Sequence, residues 1–128
     1  MIVGGKIERV EAEKKKDGKI EGLKIDIKID DVKVKDENVE IKYTYTAEYA
    51  KGMGEIKISG VLYAKEDEKV AKEISESWNK DKKNRTIPKS YASSLLSAIN
   101  YTGSANGTLV ARVLNLSPPL VPPKLQVS

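Results

Sequence analysis

Two short runs place carboxylates side by side, Asp30-Asp31 and Glu66-Asp67-Glu68, and these are the first places to look for metal or acid–base chemistry. Adjacent residues of a strand point to opposite faces, so Asp30 and Asp31 cannot grip one cation together; a polar bulge is the expected outcome. Glu66-Asp67-Glu68 stands just ahead of a helical pattern, where negative charge complements the helix dipole. Ser93, Ser94 and Ser97 would need a base to become nucleophiles, and the chain has no histidine. The spacing singles out no Ser-Lys pair with Lys89. With no cysteine either, disulfides, imidazole or thiolate zinc sites and a Cys nucleophile are all excluded. Gly52-Met53-Gly54 and the stretch from Gly103 to Gly107 lack the trailing Gly-Lys-Ser/Thr of a phosphate-binding loop. The chain is therefore expected to be no enzyme and to carry neither a metal nor a cofactor.

Contact is the alternative to chemistry, and aromatic residues are its best carriers. Tyr43, Tyr45 and Tyr49 alternate along one stretch, Tyr63 lies in the next, and Trp78 sits further on in a chain without phenylalanine. Flat amphipathic rings on one strand face could line a groove for extended peptides. The plainer reading is that they fill a core that has no Phe to fill it.

The charge is high but mixed. Lys and Arg number 23 against 19 Asp and Glu, a formal +4, and the only arginines are Arg9, Arg85 and Arg112. Arginine supplies the planar fork that reads base edges and clamps phosphates, so nucleic-acid binding ranks as a distant third reading. The abundance of Glu and Lys matches the ion-pair style of thermophile surfaces. No run reads as a signal peptide, and a cytoplasmic location is expected. The acids end at Asp81, and Ser90 through Ala111 carries no charge at all. A stretch of that kind must face the protein's own core or another chain.

These features need elements to position them. A chain of 128 residues suits one domain, 1–128. Leu23, Ile25, Ile27 and Ile29 alternate with polar residues, as do Val39 through Tyr49 and then Ile56, Ile58, Gly60 and Leu62. The phase slips at Asp30-Asp31, which predicts a bulge. Ile7, Val10 and Ala12 give a less regular first strand ended by Asp17-Gly18. Strands are expected over about residues 2–65 as a four-stranded antiparallel meander. Val70, Ile74 and Trp78 then fall on one helical stripe, predicting a short helix near 67–81. A long helix opens at Pro88 and extends over about 88–114, unless Gly103 to Gly107 break it into a loop. If it is continuous, its small residues would let a second helix come close, making Leu96, Ile99, Gly103, Gly107 and Val110 candidates for an oligomer interface. Prolines 118, 119, 122 and 123 impose an extended tail on 116–128.

The order of these elements resembles the bacterial export chaperone SecB and its SecB-like relatives, over roughly residues 5–120. The most specific pieces are Pro88, Tyr91 and Ala92 at the helix entry and Leu114-Asn-Leu-Ser-Pro118 at its exit. The resemblance implies an α+β fold, a four-stranded antiparallel sheet with a short helix and a long C-terminal helix packed on one face. It further implies homodimers that pair into tetramers, and holding of unfolded or extended polypeptides without nucleotide hydrolysis. Relatives of this fold also serve as chaperones for antitoxins. In this chain a client groove would rest on Tyr43, Tyr45, Tyr49, Tyr63 and Trp78. A second reading keeps the fold but makes the chain an adaptor for one defined protein partner. The chain departs from the family in being basic where SecB is acidic.

Overall fold

The alternating stretches fold as strands because β-branched and tyrosine side chains on one parity can be buried while the charged parity stays wet. In the computed structural model, which describes residues 1–120 and the backbone of 123–127, these strands are β1 (Ile2–Lys14), β2 (Leu23–Lys35), β3 (Asn38–Tyr49) and β4 (Gly54–Lys65). A single 3₁₀ turn, Ala50–Gly52, joins β3 to β4. Two helices follow, α1 (Glu68–Asn79) and α2 (Lys89–Leu114), then a strand β5 (Pro123–Val127). The fold is α+β, and the four long strands pair with one another antiparallel.

The sheet order is β1-β4-β3-β2-β5. Only β2-β3-β4 is a meander. The expected four-strand meander is thus corrected: β1 lies beside β4, and residues 15–22 cross the sheet end to reach β2. Eight residues can span about 26 Å when extended, and crossing three strand spacings needs only about 14 Å. Asp17-Gly18 is part of this crossover, which is tied to the β3–β4 turn. The Lys15 and Lys16 amides donate to the Met53 carbonyl at 2.9 and 3.3 Å, and the Ala50 amide donates to the Gly22 carbonyl at 2.9 Å.

The phase slip at Asp30-Asp31 is a register shift between Ile29 and Asp31 in the β2–β3 ladder. Asp31 turns back to accept from the Val32 amide at 2.9 Å, and Thr44 Oγ1 donates to Asp30 at 2.6 Å. The carboxylates of the bulge are held as structural groups. Asp67 caps α1, accepting from the Val70 amide at 2.8 Å. Ala71, Ile74 and Trp78 of that helix are buried, and α1 packs against β2.

α2 runs without a break through Gly103 and Gly107. Its buried stripe is Leu95, Ile99, Gly103, Gly107 and Ala111, one residue every four. The close approach foreseen for a second helix is made instead by the chain's own sheet. A Cβ on Gly103 would lie 2.3 Å from the Tyr45 ring, and one on Gly107 would lie 2.8 Å from Pro119. The helix ends where Asn115 takes a left-handed conformation (φ 57°) and the Leu116 amide donates to the Ala111 carbonyl at 2.8 Å. The tail includes a strand: β5 pairs in parallel with β2, Ile25 to Ile29 against Pro123 to Val127.

Candidate functional site

Of the five aromatic residues singled out from the sequence, four are interior. Tyr43, Tyr45, Tyr49 and Trp78 are each no more than 1% exposed. The three tyrosines lie on the face of β3 that α2 covers, because their parity matches Val39, Ile41 and Ala47. The hydroxyls of Tyr45 and Tyr49 explain why tyrosine stands there where phenylalanine could. Tyr45 Oη lies 3.4 Å from Ser104 Oγ on α2 and 3.5 Å from the Pro119 carbonyl, and Tyr49 Oη donates to the Ser117 carbonyl. Tyr45 and Tyr49 thereby tie the middle of α2 and the chain after it to the sheet. Burial pushes all three phenols upward, Tyr49 to about 12, with neighbouring Tyr45 adding to the effect. Trp78 is covered by the Arg85 guanidinium, 5.4 Å from the ring centroid. Tyr63 stands apart. It lies on the opposite face of the sheet, at a shallow cavity of about 450 Å³ shared with Val3, Val34 and Glu40.

The interface candidates divide in the same way. Ile99, Gly103 and Gly107 face the sheet and are buried, while Leu96 and Val110 are half-buried at the margins of α2. The outward face of the helix is a different row. Ser97, Tyr101, Ala105, Leu109 and Val113 repeat every four residues, and Tyr101, Leu109 and Val113 are 78%, 61% and 84% exposed. Exposed Leu120 lies across from this row.

Two grooves meet at Tyr101. One, about 680 Å³, runs between α2 and β1; its walls include Ile2, Ile7, Leu62, Ala98 and Tyr101, and Tyr43 reaches its floor. It exists because β1 has Gly4 and Gly5 where side chains would fill the gap, and because α2 presents Ser97 and Ala98 there. The second, about 690 Å³, lies on the outer face of α2 between Tyr101, Ala105, Thr108 and Leu120. Both are lined mainly by apolar and small uncharged side chains, with Lys6 the one charged residue at their rims. Sequence reasoning missed Tyr101. It stands in a polar run (Ser97, Asn100, Thr102, Ser104), and only the four-residue spacing of 97, 101, 105, 109 and 113 marks the row.

Among the described residues no group of three metal-ligating side chains is brought together. Nor is any helix among them long and apolar enough to cross a membrane. What the site offers is surface: an aromatic ring between two apolar channels, beside a strand at the sheet's outer edge.

The layered arrangement, an antiparallel 1-4-3-2 sheet crossed by one long helix, is the SecB-like fold. A solved structure shares it: the SecB-like chaperone Rv1957 of Mycobacterium tuberculosis, in complex with a ChAD peptide from the Rv1956 HigA1 antitoxin. The TM-score is 0.55 at 14% identity, over 94% of this chain and 87% of the other. No family model matches the sequence, and no curated protein does.

Proposed function

We propose that this chain is a non-catalytic polypeptide-binding protein, a SecB-like holdase that acts as a homo-oligomer. The observation that carries the reading is Tyr101, a large ring left 78% exposed where two apolar grooves meet. Open grooves of this volume suit an extended chain, which can lay apolar side chains in the channels while its backbone follows the polar rim of Ser97, Asn100 and Thr102. The grooves between α2 and its neighbours thereby replace the tyrosine ladder of β3 as the client surface, with Tyr43 contributing from below. Self-association is supported by the apolar exposure outside the grooves, Leu109 and Val113 on α2 and Val10 on β1.

A narrower role, service to one defined protein partner, is favoured by the neighbouring fold having been solved with an antitoxin peptide. Suppression of aggregation of several unrelated unfolded proteins separates the two: breadth supports the holdase, and protection of none of them at stoichiometric ratio overturns it. Tyr101→Ser is expected to weaken client binding about tenfold, the effect of removing a central aromatic anchor of moderate strength. Its melting temperature should match the wild type, since the ring covers little of the core.

A further inference from the structure

The opposite edge of the sheet holds a second polypeptide contact, and the chain itself supplies the occupant. We infer that the Ile25–Ile29 edge of β2 is a strand-addition site for extended polypeptide, closed in the resting protein by the chain's own β5 and opened when β5 is displaced.

Three observations support this. First, β5 is an added strand of the weaker kind. It is parallel to β2, five residues long against thirteen, and begins with Pro123, which has no amide hydrogen to give. It stops at Ile29, where the bulge at Asp30-Asp31 changes the pairing of β2. Second, the tail is anchored before β5 begins. Leu116 is buried, Tyr49 holds the Ser117 carbonyl, and Tyr45 lies beside the Pro119 carbonyl. Peeling β5 away therefore leaves these anchors in place. Third, Ile25, Ile27 and Ile29 lie in register with Pro123, Leu125 and Val127. An incoming segment would need the same pattern, aliphatic residues at alternate positions, which is common in unfolded chains and selects no single sequence. The tether sets the threshold, since a strand linked by so few residues competes at an effective concentration of roughly millimolar. A client held in the α2 grooves meets this edge with a comparable advantage, so the two sites would act together on a long segment. The inference goes beyond the groove reading and is testable without it.

The chain has no cysteine, so a Lys28→Cys, Gln126→Cys variant of the full chain carries only that pair, at positions directly in register. Oxidation is expected to close the disulfide and lock β5 in place. The probe is a fluorescent synthetic peptide with the sequence of residues 121–128. The reduced variant is expected to bind it, and oxidation to abolish binding reversibly. A second full-length variant, Leu125→Pro, weakens β5 without touching the anchors. It is expected to bind the peptide at least tenfold more tightly than wild type and to exchange its amides at 25–29 faster until peptide is added. Equal peptide binding by oxidised and reduced protein overturns the inference, as does failure of the cysteines to join or absence of peptide binding by Leu125→Pro. Suppression of client aggregation by the oxidised variant, with β5 locked, reads the α2 grooves alone, so loss of the groove function and loss of the edge site give different results.

Discussion

Gly103 shows how one missing side chain decides what a helix packs against. In an exposed helix Gly→Ala stabilises by about 1 kcal/mol, yet here the added methyl would sit 2.3 Å from the Tyr45 ring, itself wedged between β3 and α2. Overpacking of this kind costs about 1–3 kcal/mol. Gly103→Ala is therefore expected to lower stability despite its better helix propensity, and Gly4→Ala, with nothing within 4 Å of the new atom, to leave it nearly unchanged. Urea midpoints of the two variants check the contrast. The tyrosine ladder makes a second prediction, on alkali. Tyr49 is pushed up to about 12, chiefly by burial, so the folded state holds its proton where the unfolded state has released it. Stability from this group is complete below the ordinary phenol range near pH 10 and is lost as pH rises towards 12. Denaturation midpoints should fall across that interval together with a late rise in phenolate absorbance. In Tyr49→Phe the late step should shrink, and a full-sized one would assign it to another tyrosine.

At the scale of elements, the parts legible in the sequence are those where hydropathy has a period. The alternations at Ile25–Ile29, Val39–Tyr49 and Ile56–Leu62 specify strands, the phase slip at Asp30-Asp31 specifies a bulge, and Val70, Ile74 and Trp78 specify a helix face. Period says which residues share a face but not which strand lies alongside. The placement of β1 next to β4 was therefore hidden, and Asp17-Gly18 looked like a hairpin turn although it belongs to a crossover. The inward face of α2 was hidden for another reason. Its central residues are Gly103 and Gly107, which carry no hydropathy signal and are buried because Tyr45 and Pro119 need their space. The candidate site suffered most from this. Tyr43, Tyr45 and Tyr49 were correctly placed on one face, but alternation alone cannot say that a helix covers it. β5 was obscured by prolines, which suggest an extended tail and are poor members of a ladder except at an edge, where this strand lies.

The whole molecule distributes its surface unevenly. The wet face of the sheet carries ion pairs such as Lys57–Glu55, exposed and of little individual weight. Apolar exposure concentrates instead on the outer row of α2 and on β1, an outer strand of thirteen residues whose Ile7 and Val10 are open to water. Such a strand invites pairing with another chain, and the register shifts at Ile2/Gly4 and Ile7/Arg9 interrupt its regularity without closing it. One partner chain covering β1 at Val10 and the C-terminal part of the α2 row would remove Leu109, Val113 and Val10 from water and leave Tyr101 and its grooves open, which is why the oligomer is proposed as a property of this surface and not of the glycines within the helix. Leu109→Asp with Val113→Asp places two charges on that row, where the native side chains are 61% and 84% exposed and contribute little to the core. The wild type is expected to scatter light as two or more chains, and the double variant as one chain with an unchanged circular dichroism spectrum. Because the groove between α2 and β1 is complete within one chain, the dissociated variant should still bind a client through Tyr101, only more weakly for want of a second site in the same particle. A wild type that remains a single chain at high concentration would remove the oligomer from this account and leave the groove to act alone.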